Sequence, residues 1–364
     1  MIKLKERFKT YRPNTTSREF FDFENGLKCV HYGDIYKNYS ARIVSSSNII
    51  NRFNQPISDS KVFRCDSIIF PDVTETIDDF GHFTYIKYDG EPYINGTHTF
   101  AITSNCKDSL MYLFLHLQSE TSRKRLQTLL SGSTVFQLSL KLFDDFELLD
   151  FSNCKATQQH IVDLIGSLDD KIEVNEKVAE KLLDKALLII ESLYSDKIHN
   201  STVAAIILEN PKSKIKVGDA SSDSALPYAF FTSGEKTIYH TDYLIDGINI
   251  FLNTGGNAGA KIHQGKCAYS TDTWSVESKE LTEYLYLVFK SRIKEINDLY
   301  FEGSALRHLQ KPLLKNMSIY VPNTKEAQEL NAALKPMFQK IFTTRIENAK
   351  LEQLKKYYLK KFFD

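Results

Sequence analysis

Pro71-Asp72 has the form that opens a nuclease-like carboxylate motif, yet Tyr85-Ile86-Lys87 puts no second acid two residues before its lysine. The run Gly255-Gly256-Asn257-Ala258-Gly259 lacks the GxxxxGK(S/T) spacing that cradles a nucleotide phosphate, and it opens no obvious helix. Nine His and five Cys (Cys29, Cys65, Cys106, Cys154, Cys267) occur without HExxH or CxxC spacing, so neither a metal centre nor a disulfide framework is indicated. An amino-methyltransferase would carry Asn/Asp-Pro-Pro-Tyr/Phe, which the sequence does not contain. The chain therefore reads as non-catalytic, with no catalytic residues, no metal and no cofactor. Two Gly-Ser turns remain, Gly132-Ser133-Thr134 and Gly303-Ser304-Ala305, followed by Gln137 and by Arg307 and His308. Backbone N–H groups at such turns hold phosphate. A glycine that ends a helix accounts for them equally well.

The elements that must position these residues are organised around 155–195, a stretch without Pro. Its apolar residues Ile161, Leu164, Ile165, Leu168, Ile172, Val178 and Leu182 recur at helical spacing, with Asn175 at a seam position where it can fix register. Mixed charges cover the other face. About 40 residues at 1.5 Å each would span roughly 60 Å, which suits a rod between two bodies. With 364 residues the chain has room for two domains. Lys+Arg and Asp+Glu are both 46, so no overall basic field exists; this counts mildly against a chain that grips nucleic acid alone and leaves open a reader whose partners supply most of the positive surface. No apolar N-terminal region or membrane-length run is present, and a cytoplasmic location is expected.

The pattern predicts strands over 27–36, 68–70, 97–103 and 143–151, and a helix over 109–130. It predicts further strands over 248–252, 267–276 and 317–321, and a helix over 281–300. This mixture is α+β. The two bodies follow one plan: Gly132 and Gly303 are 171 residues apart, each after an amphipathic helix and before a short strand. Thr97-His98-Thr99-Phe100 sits opposite Thr271-Asp272-Thr273-Trp274, and Lys171-Ile172-Glu173 opposite Arg345-Ile346-Glu347. A repeat this long means duplicated domains. The second copy ends in another helical stretch with Phe338, Ile341, Ile346 and Leu354 as seam residues; Pro336 predicts a start or kink there.

VHYGDIY (30–36), GSTVFQLSLKLFDDFEL (132–148) with QQHIVDLIGSLDDKIEVNEK (158–177), and GSALRHLQKPLLKNMSIYVP (303–322) resemble the specificity subunit of type I restriction–modification enzymes. The resemblance implies target-recognition domains at 1–152 and 198–322, the latter with its connector. It implies spacer helices at 153–197 and 323–364, and a pseudo-twofold relation between the copies. The helices would pack as an antiparallel, coiled-coil-like spacer. Each domain would read one half of a bipartite, asymmetric site in double-stranded DNA. Two methyltransferase subunits would dock on the helices, restriction (motor and nuclease) subunits would join through that core, and no membrane is involved.

Base edges need Arg, Asn, Gln, Ser or Thr side chains. In the first domain the candidates are Arg42, Asn48, Asn51, Arg52, Asn54, Thr74, Thr76 and His82, with Ser133, Thr134 and Gln137 at the Gly-Ser turn. In the second they are Thr232, Ser233, Lys236, His240, Asn253, Thr254, Asn257 and Lys261, with Ser304, Arg307 and His308. Solvated loop polarity would account for any one of them. A non-catalytic coiled-coil scaffold with two protein-binding heads is the alternative reading.

Overall fold

The computed structural model describes residues 2–39, 42–104, 107–148, 155–194, 196–221, 226–234, 238–303 and 306–364. The chain divides into two compact units, residues 1–169 with 354–364, and residues 170–353. In the first, β1 (Lys9–Tyr11), β2 (Ile43–Ser45), β3 (Ser67–Pro71), β4 (Thr84–Lys87) and β5 (Thr99–Thr103) form a sheet in the order β1-β5-β3-β4-β2. Ile68, Phe70, Phe100 and Ile102 from this sheet share a core with Leu113, Phe114 and Leu117 of α1 (Lys107–Leu117) and Leu126 of α2 (Glu120–Gln127). The single helix expected over 109–130 is thus two helices. Ser119 separates them, its hydroxyl accepting the Ser122 N–H at 3.2 Å as an N-cap. The strand expected over 27–36 stops at Val30, because His31 caps a helical turn: its Nδ1 accepts the Gly33 N–H at 3.2 Å. Likewise 143–144 belong to the short helix Leu140–Asp144 and Glu147–Leu148 is strand, while 149–151 lie outside the described residues.

After α3 (Lys155–Tyr194), the second unit carries β6 (Leu208–Glu209), β7 (Ile248–Asn253), β8 (Ala260–Gln264) and β9 (Thr273–Glu277) in the order β6-β9-β7-β8. This is the order of β1-β5-β3-β4. Helices α4 (Thr282–Ser291) and α5 (Ile293–Leu299) cover it, and α6 (Thr324–Phe363) ends the chain. The duplication extends to register. Ile68 stands opposite Ile102 and Tyr85, and Ile250 opposite Val276 and Ile262. Leu130–Ser131 pairs with Gln137 and Leu138, and Phe301–Glu302 with His308 and Leu309. The short helices Leu140–Asp144 and Lys311–Lys315 follow, each burying one residue, Phe143 or Leu314.

Each long helix belongs partly to each unit. In the first unit Ile161 and Ile165 of α3 share a core with Leu359 and Phe363 of α6, and Lys355 Nζ holds Asp169 at 2.8 and 2.9 Å. In the second, Ala186 and Ile190 pack with Leu330, Leu334, Phe338 and Ile341. There Asn175, 3% exposed, donates to Glu347 at 2.9 Å and Asn348 at 2.8 Å, while Asn348 donates to the Ile172 carbonyl at 3.3 Å. Lys197 meets Glu326 at 3.3 Å, so the partner's number falls as the α3-side number rises: the helices run antiparallel. Leu164, Leu168, Ile172, Val178 and Leu182 are half-buried.

Two residues expected in the seam are not in it. Ile346 is 53% exposed and Leu354 39%. At 100° per residue, Ile346 points roughly 200° away from Asn348, and Leu354 about 100° from Lys355, the residues that do face α3. Nor does Pro336 start the helix. Asn323 Oδ1 accepts the Lys325 and Glu326 N–H groups at 3.0 Å, and Glu326 accepts the Asn323 N–H at 2.9 Å, a capping box that starts α6 at Thr324. Pro336 then lies on the exposed side, where the carbonyl it leaves unbonded is open to water.

Candidate nucleic-acid interface

In the first unit the main-chain path around the Gly-Ser turn brings three segments together. Asp72 N–H donates to the His98 carbonyl at 3.1 Å, and the Leu138 N–H donates to the Asp72 carbonyl at 2.8 Å. The second unit repeats both bonds, Thr254 to Asp272 at 3.1 Å and Leu309 to Thr254 at 3.0 Å. Residues 72, 98 and 137 thus occupy the places of 254, 272 and 308. Gln137 Nε2 donates to Asp72 Oδ2 at 3.3 Å, and His98 Nδ1 lies 3.4 Å from Asp72 Oδ1. The Asp72 side chain is 5% exposed, and its Oδ1 has no hydrogen bond. His98 is 48% exposed, with a left-handed backbone at φ 57°. Its ring meets Tyr32 edge-on at 5.8 Å, and Arg18 Nη2 donates to the Tyr32 hydroxyl at 3.3 Å. Asp72, His98 and Gln137 border a cleft of about 570 Å³ that Arg12, Ser139 and Lys141 also line.

Burial pushes the Asp72 carboxyl above its ordinary range; the Gln137 amide and His98 pull it the other way. A carboxyl raised in the folded chain favours folding while protonated. That contribution is complete below the ordinary value near 3.8 and is lost as pH rises through the elevated one. At neutral pH Asp72 therefore weighs against the fold. Asp72→Asn is expected to stabilise the protein by roughly 1 kcal/mol at pH 7 and by less at pH 4. Urea denaturation at both pH values measures this, and a loss at pH 7 would contradict it.

Several predicted residues are engaged within the fold. Asn51 Nδ2 donates to Asp34 at 2.8 Å, and Arg52 to the Gly26 carbonyl and Glu91, each at 3.0 Å. Asn51, Arg52 and the exposed Asn48 and Asn54 lie on or beside a separate sheet around Cys29, Phe53 and Ile94. Thr74 is buried and donates to the Thr76 carbonyl at 2.8 Å; Thr76 donates to Asp79 at 2.8 Å. His82 packs edge-on against Tyr36 at 5.0 Å, whose hydroxyl reaches the Val73 carbonyl at 2.9 Å. Arg42, Ser133, Thr134 and Gln137 are exposed.

In the second unit the structure gathers most of the predicted set. Lys261 Nζ donates to the Thr232 carbonyl at 2.9 Å and to that of Gly234, and Ser233 to the Asp272 carbonyl at 2.5 Å. Asn253 Nδ2 closes the glycine loop onto the Asn257 carbonyl at 3.1 Å, with Asn257 itself exposed. The Gly256 N–H donates to the Arg307 carbonyl at 2.9 Å, which sets His308, exposed, beside Gly255. Arg307 is turned inward to the Asn297 and Phe301 carbonyls. His240 stacks on Phe230 at 5.7 Å on a neighbouring sheet. Lys236 and Ser304 lie outside the described residues. Sequence reasoning left out Asp72, His98, Arg12, Lys141 and Asp272. The match of 97–100 with 271–274 carried the signal for His98 and Asp272.

Among the described residues no three or more His, Cys, Asp or Glu are placed to hold a metal, and no helix is long and apolar enough to cross a membrane. No curated protein matches the sequence. Over 100% of its length the chain is similar to the type I restriction–modification S subunit from M. genitalium, covering 95% of that chain with 13% identity and a TM-score of 0.54, a likeness of fold. It also matches the HsdS subunit from Thermoanaerobacter tengcongensis, at 13% identity over 91% of this chain and 92% of that one. A chain from a study of type I R-M complex assembly matches at 15% over 100% and 99%. Their TM-scores of 0.31 and 0.34 are too low to bear on the fold. The family model described as the type I restriction modification DNA specificity domain matches twice, over residues 15–184 and 205–356. The chain belongs to that family: it is a non-catalytic DNA-specificity subunit with two tandem α/β specificity domains.

Proposed function

We propose that each specificity domain reads one half of a bipartite, asymmetric site in double-stranded DNA, and that α3 and α6 together set the spacer and dock two methyltransferase subunits. Restriction subunits join through that assembled core, and the complex acts on DNA in the cytoplasm. The observation that carries this reading is one backbone register used twice with unlike polar side chains, Asp72, His98 and Gln137 against Thr254, Asp272 and His308. Two copies of one frame with different side chains suit an asymmetric target. The balance of 46 basic and 46 acidic residues fits a reader whose partners supply much of the phosphate-binding charge.

The test is co-expression with the methyltransferase subunits, light scattering of the purified complex, and sequencing of DNA methylation. Two methyltransferase subunits per copy of this chain and a bipartite methylated motif are expected. A chain that remains alone with no motif would favour the scaffold with two protein-binding heads. Grafting residues 215–322 from a relative is expected to change one half-site only; altered recognition on both sides would contradict independent reading.

A further inference from the structure

We propose that His98 and Gln137, oriented by the buried Asp72, are the base-reading side chains of the first specificity domain, and that Asp272 and His308 hold the same station in the second. The assignment rests on the DNA-reading function above and names the residues that carry it. An ionised carboxylate only accepts hydrogen bonds, so Gln137 must turn Nε2 toward Asp72 Oδ2, which directs its carbonyl oxygen away from the carboxylate. His98 Nδ1 likewise faces Oδ1, which sets the imidazole with Nε2 away from Asp72. At 3.4 Å the pair is longer than an ordinary hydrogen bond, and Oδ1 has no hydrogen bond. An amide oxygen presented in this way accepts from an exocyclic amino group, adenine N6 or cytosine N4. Arg12 and Lys141 on the same cleft supply charge for the flanking phosphates.

The second domain keeps the frame and changes the chemistry. Thr254 replaces the buried acid, Asp272 puts a carboxylate at the exposed rim, and His308 replaces the amide. By the same strand and helix registers, Pro211 and Pro312 stand where the first domain has Arg12 and Lys141. Side chains that only supported a turn would have no reason to differ so completely while the backbone bonds persist.

The experiment uses the full chain in complex with its methyltransferase subunits, with methylation sequencing and binding to duplexes that vary one base at a time. Gln137→Ala is expected to make one position of one half-site degenerate, with discrimination there falling about ten- to hundredfold and the other half-site unchanged. Asp72→Asn, which preserves the packing, is expected to relax the same position by freeing the amide to flip. The exchange Asp72→Thr, His98→Asp and Gln137→His is expected to replace the preferred base there. An unaltered motif in all three variants would overturn the assignment. So would a uniform loss of affinity for every duplex accompanied by a lower unfolding temperature, the signature of a structural role. A wild-type complex with no bipartite motif would instead overturn the DNA-reading function, and this assignment with it.

Discussion

Gly132→Ala and Gly303→Ala are each expected to destabilise the protein by roughly 2–4 kcal/mol, lowering the unfolding temperature of the affected unit by about 5–12 °C. The two glycines have φ of 131° and 133°, a region closed to side chains. A Cβ on Gly132 would also collide with the Val135 carbonyl oxygen, and one on Gly303 with that of Leu306. Both obstacles are main chain, fixed by the strands on either side: Leu130–Ser131 against Gln137 and Leu138, and Phe301–Glu302 against His308 and Leu309. No rotamer change relieves such a clash. Gly166 supplies the control. It sits inside α3 with nothing within 4 Å of a built Cβ, so Gly166→Ala should stabilise by about 0.5–1 kcal/mol. Thermal and urea unfolding of the three variants measures both signs. A mild effect at Gly132 would mean that the turn is free to open, and the placement of Gln137 over Asp72 would lose its structural basis.

The sequence disclosed what local periodicity encodes. The apolar stripe of α3 and the turn glycines Gly132 and Gly303 are local signals, and the 171-residue repeat is legible because each copy carries the same local pattern; the helix, both glycines and the paired hairpins are present in the fold. Less legible were features decided by a partner from elsewhere. A histidine is an unusual cap, so nothing in 27–36 announced that His31 would end the strand. Pro336 predicted a helix start or kink; the start lies instead at the capping box on Asn323, thirteen residues upstream, and the exposure of the proline's face depends on where the seam falls. The site shows the same division. Asn51, Arg52 and Asn253 look like hydrogen-bonding loop residues in a sequence, but Asp34, Glu91 and the Asn257 carbonyl occupy them in the fold. Asp72 looked like a failed nuclease motif. Its burial, and the convergence of His98 and Gln137 upon it, depend on segments 26 and 65 residues away along the chain.

Inserting one helical turn in both long helices, four residues after Ala179 and four after Thr343, is expected to lengthen the DNA spacer by one to two base pairs and leave both half-sites unchanged. These positions face each other in the antiparallel pairing that Asn175–Asn348 and Lys197–Glu326 define. Inserting in α3 alone would slide Ala186 and Ile190 past Leu334 and Phe338 and break the core of the second unit. The paired insertion keeps those contacts, and it also keeps Ile161 and Ile165 with Leu359 and Phe363 in the first. Four residues add about 6 Å of rise, the length of roughly two base pairs. They also turn the helix about 40° beyond a full revolution, close to the roughly 35° that DNA turns per base pair, and in the same right-handed sense. Rise and rotation therefore agree on a small lengthening. A heptad insertion separates them: it adds about 10.5 Å, or roughly three base pairs, but rotates the helix by about −20°, while three base pairs turn by about 100°. That variant should bind poorly at every spacer length. Methylation sequencing of complexes carrying either insertion reads both outcomes. A changed half-site with an unchanged spacer would remove the helices from the measuring role, and equal tolerance of both insertions would show that rotation about the helix axis does not constrain the reading.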